Sequence, residues 1–223
     1  MSVSTKKSTM KLVFVRHGES VANAEGRLQG HAEFGLSEKG RAQSHRLLER
    51  FQREDFHPTH IYSSPQQRTS ETARIVASYS PIPIVYCDDL KEYDIGIFSK
   101  LTWDEICAKY PEVSQEFQKS RDWGLVEGAE PLSSRCNRAR RVIDAVIERH
   151  ANDDAVLMFT HGGILQFILA TLMGTEPTSE VPVGNTAIFD FTLDLELRQL
   201  SGGSLQNNFL WSVVHFNDTS HLT

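Results

Sequence analysis

Short apolar runs alternate with amphipathic helical stretches along almost the whole chain, and no other feature restricts the fold as much. Residues 11–15, 60–63, 84–86 and 155–159 are short and rich in Val, Ile, Tyr and Phe, as strands are. Between them lie helical patterns. One runs from Ser37 as N-cap to about Glu54, with Ser44, Leu47, Leu48 and Phe51 at helical spacing. Another follows Pro65, expected near its first turn, to about Ser78. The clearest spans residues 133–150, where Ala139, Val142, Ile143, Val146 and Ile147 repeat at three- and four-residue intervals. Strands alternating with helices predict an α/β fold with a mostly parallel sheet covered on both faces. Two late strands, about 186–194 and 208–215 around a Gly202-Gly203 turn, predict an antiparallel edge strand.

Residues 1–9 are polar and read as a flexible tail, which leaves residues 10–223 as a single domain. Residues 88–130 carry two short helices, about 102–109 and 111–119, in a stretch too long for a plain loop. A functional cover over a site is the expectation, with Phe98, Lys100, Trp103, Trp123 and Leu125 lining its entrance. The stretch 155–173 is apolar, but a His-Gly-Gly in its middle suits strand, turn and helix better than a membrane span. A net charge of −6 lacks the electrostatic footprint of a nucleic-acid binder, leaving room only for a local anion pocket. Three scattered cysteines form neither a disulfide framework nor a metal-binding pair, which suits the cytoplasm.

In such sheets ligands collect beyond the carboxyl ends of the strands. Arg16, His17, Gly18, Glu19 and Ser20 follow the first strand, and Ser63, Ser64, Pro65 and then Arg68 follow the second. Glu92 comes after the third, and Thr160, His161, Gly162 and Gly163 come after the fourth. Each alone is ordinary: a structural histidine, a solvated arginine, a surface acid. Together they form a phosphate-handling set. Arginine forks match phosphate oxygens. Glycines let backbone N–H groups approach an anion. An imidazole can attack phosphorus, and a carboxylic acid can protonate the leaving oxygen.

The run Leu12-Val13-Phe14-Val15-Arg16-His17-Gly18-Glu19-Ser20 resembles the nucleophile motif of the histidine phosphatase (phosphoglycerate mutase-like) superfamily. Asn23, Gly26-Arg27-Leu28-Gln29-Gly30, Ser64-Pro65-Gln66-Gln67-Arg68-Thr69, Leu90-Lys91-Glu92 and Thr160-His161-Gly162-Gly163 follow in that family's order. Asn217-Asp218-Thr219-Ser220-His221-Leu222 is similar to the tail of its phosphatase branch. The resemblance implies a three-layer α/β/α sandwich. It also implies a metal-independent phosphomonoester hydrolase, working through a phosphohistidine on a small phosphorylated metabolite, with no cofactor. His17 would be the nucleophile and Glu92 the general acid. Arg16, Arg68, His161, Asn23 and Gly162 would hold the phosphoryl group. The alternatives are a cofactor-dependent phosphoglycerate mutase, a sugar bisphosphatase and, with this set of groups intact, less readily a non-catalytic scaffold. Departures after Gly96 and at Gly35 and Pro131 leave every proposed catalytic group in place and the substrate open.

Overall fold

The computed structural model describes residues 8–177, 182–196 and 211–223. Most of the expected tail, the Gly202-Gly203 turn and the start of the last expected strand lie outside these residues. The described strands are β1 (Met10–Arg16), β2 (His60–Ser63), β3 (Ile84–Tyr86), β4 (Ala155–Thr160), β5 (Ile188–Leu193) and β6 (Trp211–Asp218). They form one sheet in the order β3-β2-β4-β1-β5-β6. The pairs β2–β3, β2–β4 and β1–β4 are parallel, whereas β5 runs antiparallel to both β1 and β6. The antiparallel edge is therefore the β5–β6 pair.

The helices are α1 (Val21–Ala24), α2 (Glu38–Arg53), α3 (Gln67–Val76), α4 (Trp103–Lys109), α5 (Pro111–Ser120), α6 (Leu132–Arg149) and α7 (Gly162–Met173). The period-two alternation of the strands divides the core. Leu12 and Phe14 of β1 and Val156 and Met158 of β4 face one way, against Val142, Ile143 and Val146 of α6 and Ile164 and Ile168 of α7. Val13, Val15, Leu157 and Phe159 face the other way, against Leu47 and Phe51 of α2 and Ala73 and Val76 of α3. Strands buried on both faces read as continuous apolar runs, as these do. The result is the expected three-layer sandwich.

Pro65 lies near the start of α3, immediately before its N-cap Gln66. One local expectation shifts. The loop after β1 contains a single helical turn, α1, capped where Ser20 and Asn23 exchange side-chain and backbone hydrogen bonds. Residues 88–130 build a separate small core from Phe98, Ile106, Phe117 and Val126, with Trp103 and Trp123 packed on it. Phe98 is fully buried there and does not line an entrance; its ring is enclosed by Trp103, Tyr110, Phe117 and Trp123.

The C-terminal segment is clipped to α2 by one buried cation. Arg50 is 4% exposed. It donates to Asp218 Oδ2 at 2.7 Å, to Glu54 Oε1 at 2.7 Å and to Ser220 Oγ at 3.1 Å. His221 beside it bonds Thr186 Oγ1 at 2.9 Å, and burial lowers its pKa to about 4. Arg50 holds the Asp218 carboxyl well below the usual carboxylate range. Both folded-state pKa values lie below their unfolded values. The unfolded chain therefore binds the protons first, and stability falls with falling pH. The His221 contribution is lost between about pH 6.5 and 4 and the Asp218 contribution below about pH 4. Asp218→Asn should cost about 1.5–3 kcal/mol at pH 7, the scale of a hydrogen bond to a charged group. Urea titrations at pH 7 and pH 3 should show the difference shrinking at the lower pH; an equal cost at both would exclude the ion pair as its source.

Candidate active site

The parallel strands β1, β2 and β4 end at one edge of the sheet, so the residues after them meet. His17 follows β1, and its N–H donates to Thr160 O at 3.0 Å. Its Nδ1 lies 2.7 Å from Gly18 O. A carbonyl oxygen only accepts, so Nδ1 carries the proton and Nε2 keeps the lone pair. Burial, followed by the charges of Arg16 and Arg68, pushes the His17 pKa well below the usual histidine range. The imidazole is thus neutral at physiological pH, as a nucleophile must be.

His161 follows β4 as the N-cap of α7 and is fully buried. Its ring centroid is 5.1 Å from that of His17, edge to face. Ser64 Oγ lies 2.9 Å and Thr69 Oγ1 3.1 Å from its Nε2. Burial and Arg68 also hold this imidazole neutral.

Arg68, in the first turn of α3, is 1% exposed. Its guanidinium donates to Ala32 O and Gly30 O, each at 3.0 Å. Burial lowers its pKa to about 10, which still leaves it charged at neutral pH. Arg16, the last residue of β1, donates from Nη1 to Val183 O. The Nε atoms of both arginines are buried without a hydrogen-bond partner. Buried cationic donors of this kind suit an oxyanion.

Glu92 reaches the first turn of α7. Its carboxylate accepts from Gly163 N at 2.9 Å, Ile164 N at 2.8 Å and Tyr93 N at 3.1 Å. This arrangement explains Gly163: a Cβ there would lie 2.6 Å from Glu92 Oε1. Gln66 links the site's halves, accepting from Glu92 N at 2.8 Å and donating to Gly30 O at 3.0 Å. Asn23 spends its Oδ1 on Ser20, leaving its NH₂ as the remaining donor.

A cavity of about 410 Å³ opens over these groups, and Arg16, His17, Asn23, Arg68, Glu92 and Gly162 all line it. His161 is the one expected site residue absent from its wall. Of the five expected entrance residues only Trp123 lines the cavity, together with Tyr93 and Gln166. Gln66, Thr69 and Tyr93 were not singled out from the sequence. Gln66 and Thr69 flank Arg68 closely, and Tyr93 adjoins Glu92, but nothing in their residue type signals the contacts they make. Arg135, 4.1 Å from the Tyr93 ring and packed also against Trp123 and Phe167, lies in a remote helix and gave no signal.

The model of the histidine phosphatase superfamily (branch 1) matches residues 12–201. The chain is 33% identical over 223 residues to a metal-independent phosphoserine phosphatase of Arabidopsis thaliana, covering 99% of this chain and 87% of that protein. It is 29% identical to phosphoglycerate mutase-like protein 4 of the same plant, covering 95% and 86%. The structure of Bacillus stearothermophilus YhfR superposes with a TM-score of 0.80 at 27% identity, covering 96% of this chain and 100% of that one.

The Arg68 fork can be tested with inorganic phosphate alone. Arg68→Lys keeps a charge but cannot hold two carbonyls and an anion in one plane. Its phosphate affinity, measured by calorimetry, should fall at least about tenfold, the scale of one charged hydrogen bond. Arg27→Ala, at the rim and already paired with Glu25 and Glu105, should change affinity far less. Equal losses would mean that net charge, not the buried fork, holds the anion.

Proposed function

The chain belongs to the histidine phosphatase superfamily, and on that premise we propose that it hydrolyses a small phosphomonoester, an O-phosphorylated amino acid such as phosphoserine first among candidates. It is a phosphatase that needs no metal for its chemistry. The observation that carries the residue assignments is His17: buried, neutral, with its Nε2 lone pair free beside two guanidinium groups.

In the first step His17 Nε2 attacks phosphorus and the bond to the bridging oxygen breaks. Glu92, as the carboxylic acid, gives its proton to the departing alkoxide. Arg16, Arg68 and Asn23, which line the cavity, hold the equatorial oxygens, on which charge is spread in the transition state, and His161 packs edge to face on His17. In the second step water attacks the phosphohistidine and Glu92 takes its proton. The P–N bond pair returns to Nε2, and inorganic phosphate leaves. Gly162 lets the start of α7 sit against Arg16; a Cβ there would be 3.3 Å from Arg16 Nε. A cavity of about 410 Å³ suits a metabolite rather than a nucleic acid or a folded protein. We take residues 88–130 as its cover. Cys87, Cys107 and Cys136 are all unpaired, which supports a reducing compartment such as the cytoplasm. Among the described residues, no helix is long and apolar enough to cross a membrane.

The mutase reading is kept alive by the second Arabidopsis relative. The two readings differ in what the phosphohistidine meets. A hydrolase admits water; a mutase holds the intermediate for an isomeric acceptor. Phosphate release from phosphoserine should need no bisphosphorylated primer and should persist in EDTA, while His17→Ala abolishes both turnover and acid-labile phosphate on the protein. Primer-dependent exchange between phosphoglycerate isomers, faster than hydrolysis, would reverse the assignment; sugar bisphosphates belong in the same substrate panel.

The role of Glu92 makes a separate prediction. An alkoxide leaves poorly unless protonated, whereas p-nitrophenolate leaves unaided. In single-turnover measurements of the first step, Glu92→Gln should slow an alkyl phosphate roughly 10²-fold or more and p-nitrophenyl phosphate only mildly. Equal slowing of both would move the acid elsewhere, to Asp94 or Glu19.

A further inference from the structure

At the end of the sheet opposite the catalytic cavity, three side chains converge that the phosphatase chemistry does not use. His60 is the first residue of β2, His150 ends α6 as its C-cap, and Asp154 immediately precedes β4. One potential ligand atom from each lies within 4.8 Å of the other two. Asp154 spans the histidines: Oδ2 is 3.6 Å from His150 Nδ1 and Oδ1 is 3.7 Å from His60 Nδ1. Both separations are too long for hydrogen bonds. They approach the roughly 3.3 Å between ligand atoms that zinc bonds of about 2.0–2.1 Å require in a tetrahedron.

His150 supplies the independent sign. Its side chain is 2% exposed, yet its Nδ1 has no hydrogen-bond partner. Its other nitrogen, Nε2, lies 3.1 Å from the Tyr62 hydroxyl. With Nε2 protonated and donating to Tyr62, Nδ1 keeps its lone pair and faces the Asp154 carboxylate, and a cation would sit between the two. Outer contacts fix the carboxylate in the same way: Thr59 Oγ1 donates to Asp154 Oδ1 at 3.1 Å, and Ala151 N donates to Oδ2 at 2.9 Å. Such partners orient ligands at metal sites. His60 Nδ1 would release its 2.9 Å contact with Thr59 Oγ1, which keeps Asp154 and Ala155 O as partners. The His60 side chain is 43% exposed, so it can swing inward and admit water as a fourth ligand.

We propose that His60, His150 and Asp154 bind one Zn²⁺ ion as a structural staple. Two imidazoles and a carboxylate suit zinc better than calcium or magnesium, which take oxygen ligands. The ion would tie the end of α6 and the start of β4 to the start of β2. It would act on stability and not on turnover, since the length of β4, about 20 Å at the usual rise per residue, separates Asp154 from His161.

The test uses the full-length, tag-free protein stripped with a chelator and titrated with Zn²⁺ by calorimetry. One ion per chain should bind, the thermal midpoint should rise with Zn²⁺, and phosphatase kcat should not change. His60→Gln and Asp154→Asn, both at partly exposed positions, should each weaken Zn²⁺ binding at least about tenfold and abolish the thermal shift. His150→Gln should do the same; if it fails to fold, the other two variants still decide the matter. Co²⁺ in place of Zn²⁺ should give the intense visible absorption of a four-coordinate ion. Failure to bind one equivalent overturns the site, as does binding unchanged in either His60→Gln or Asp154→Asn. Zn²⁺ uptake lost only in His17→Ala would place the ion in the catalytic cavity and overturn it equally. None of these outcomes bears on the phosphohistidine mechanism, which is read by a different assay.

Discussion

The burial of two guanidinium groups at the carboxyl edge of the sheet governs the rest of the site. Arg16 and Arg68 are both withdrawn from water, and desolvation lowers both pKa values. Removing such ions from water costs several kcal/mol each, even after relaxation. Carbonyl oxygens of Gly30, Ala32 and Val183 offset part of that cost, and Glu92 supplies the nearby negative charge. The unmatched Nε donors suit an oxyanion. Burial, with the same charges adding to it, keeps His17 and His161 neutral. One feature therefore bears on both proposed roles: it offers cationic donors to a phosphoryl group, and together with burial it keeps His17 unprotonated where a solvent-exposed histidine would begin to titrate.

Holding these charges in place requires backbone segments to approach more closely than side chains permit. A Cβ at Gly18 would stand 2.6 Å from the carbonyl oxygen of Gly40, in the first turn of α2. Gly163 meets Glu92 in the same way. Neither glycine has a positive φ, so each is required by proximity and not by a left-handed turn. The loop that carries His17 thus rests directly on α2, and Glu92 rests directly on α7. Geometry at the reacting center is then inherited from packed helices, which move less than loops do.

The layer order and the set of groups at the strand ends were legible because both follow from short-range pattern. Apolar runs mark strands, parallel strands share a carboxyl edge, and charged or imidazole residues just past that edge must meet. The 88–130 segment was legible only as an anomaly of length. Its aromatic residues announced apolar area, but whether a ring closes a small core or faces a cavity depends on partners distant in sequence. Phe98 went inward and Trp123 to the cavity wall. Gln66 escaped notice because an amide between two backbone groups looks like any surface glutamine. The Ser20–Asn23 cap hid within a glycine-rich loop whose punctuation argued against any helix. The cluster of His60, His150 and Asp154 was invisible for the opposite reason: each residue lies outside a recognisable motif, and only the sheet brings them together.

Arg135 fastens the aromatic wall of the cavity to the main sandwich. It is 2% exposed and belongs to α6, a helix of the main sandwich. Its guanidinium lies 4.1 Å from the Tyr93 ring and 5.7 Å from that of Trp123, and it donates to the carbonyl of Glu130. Tyr93 and Trp123 line the catalytic cavity, and Tyr93 is the neighbour of Glu92 in sequence. A cation seated among aromatic faces away from water is held by their quadrupoles as well as by packing. The rings that border the substrate are therefore fastened to the sandwich from beneath, while Arg16, Arg68 and His161 are fastened to strand ends and to α3. The two sets of anchors share little. No residue from Ile97 to Thr102 lines the cavity, so the departures of this chain after Gly96 leave both the aromatic wall and the charged groups at the strand ends in place.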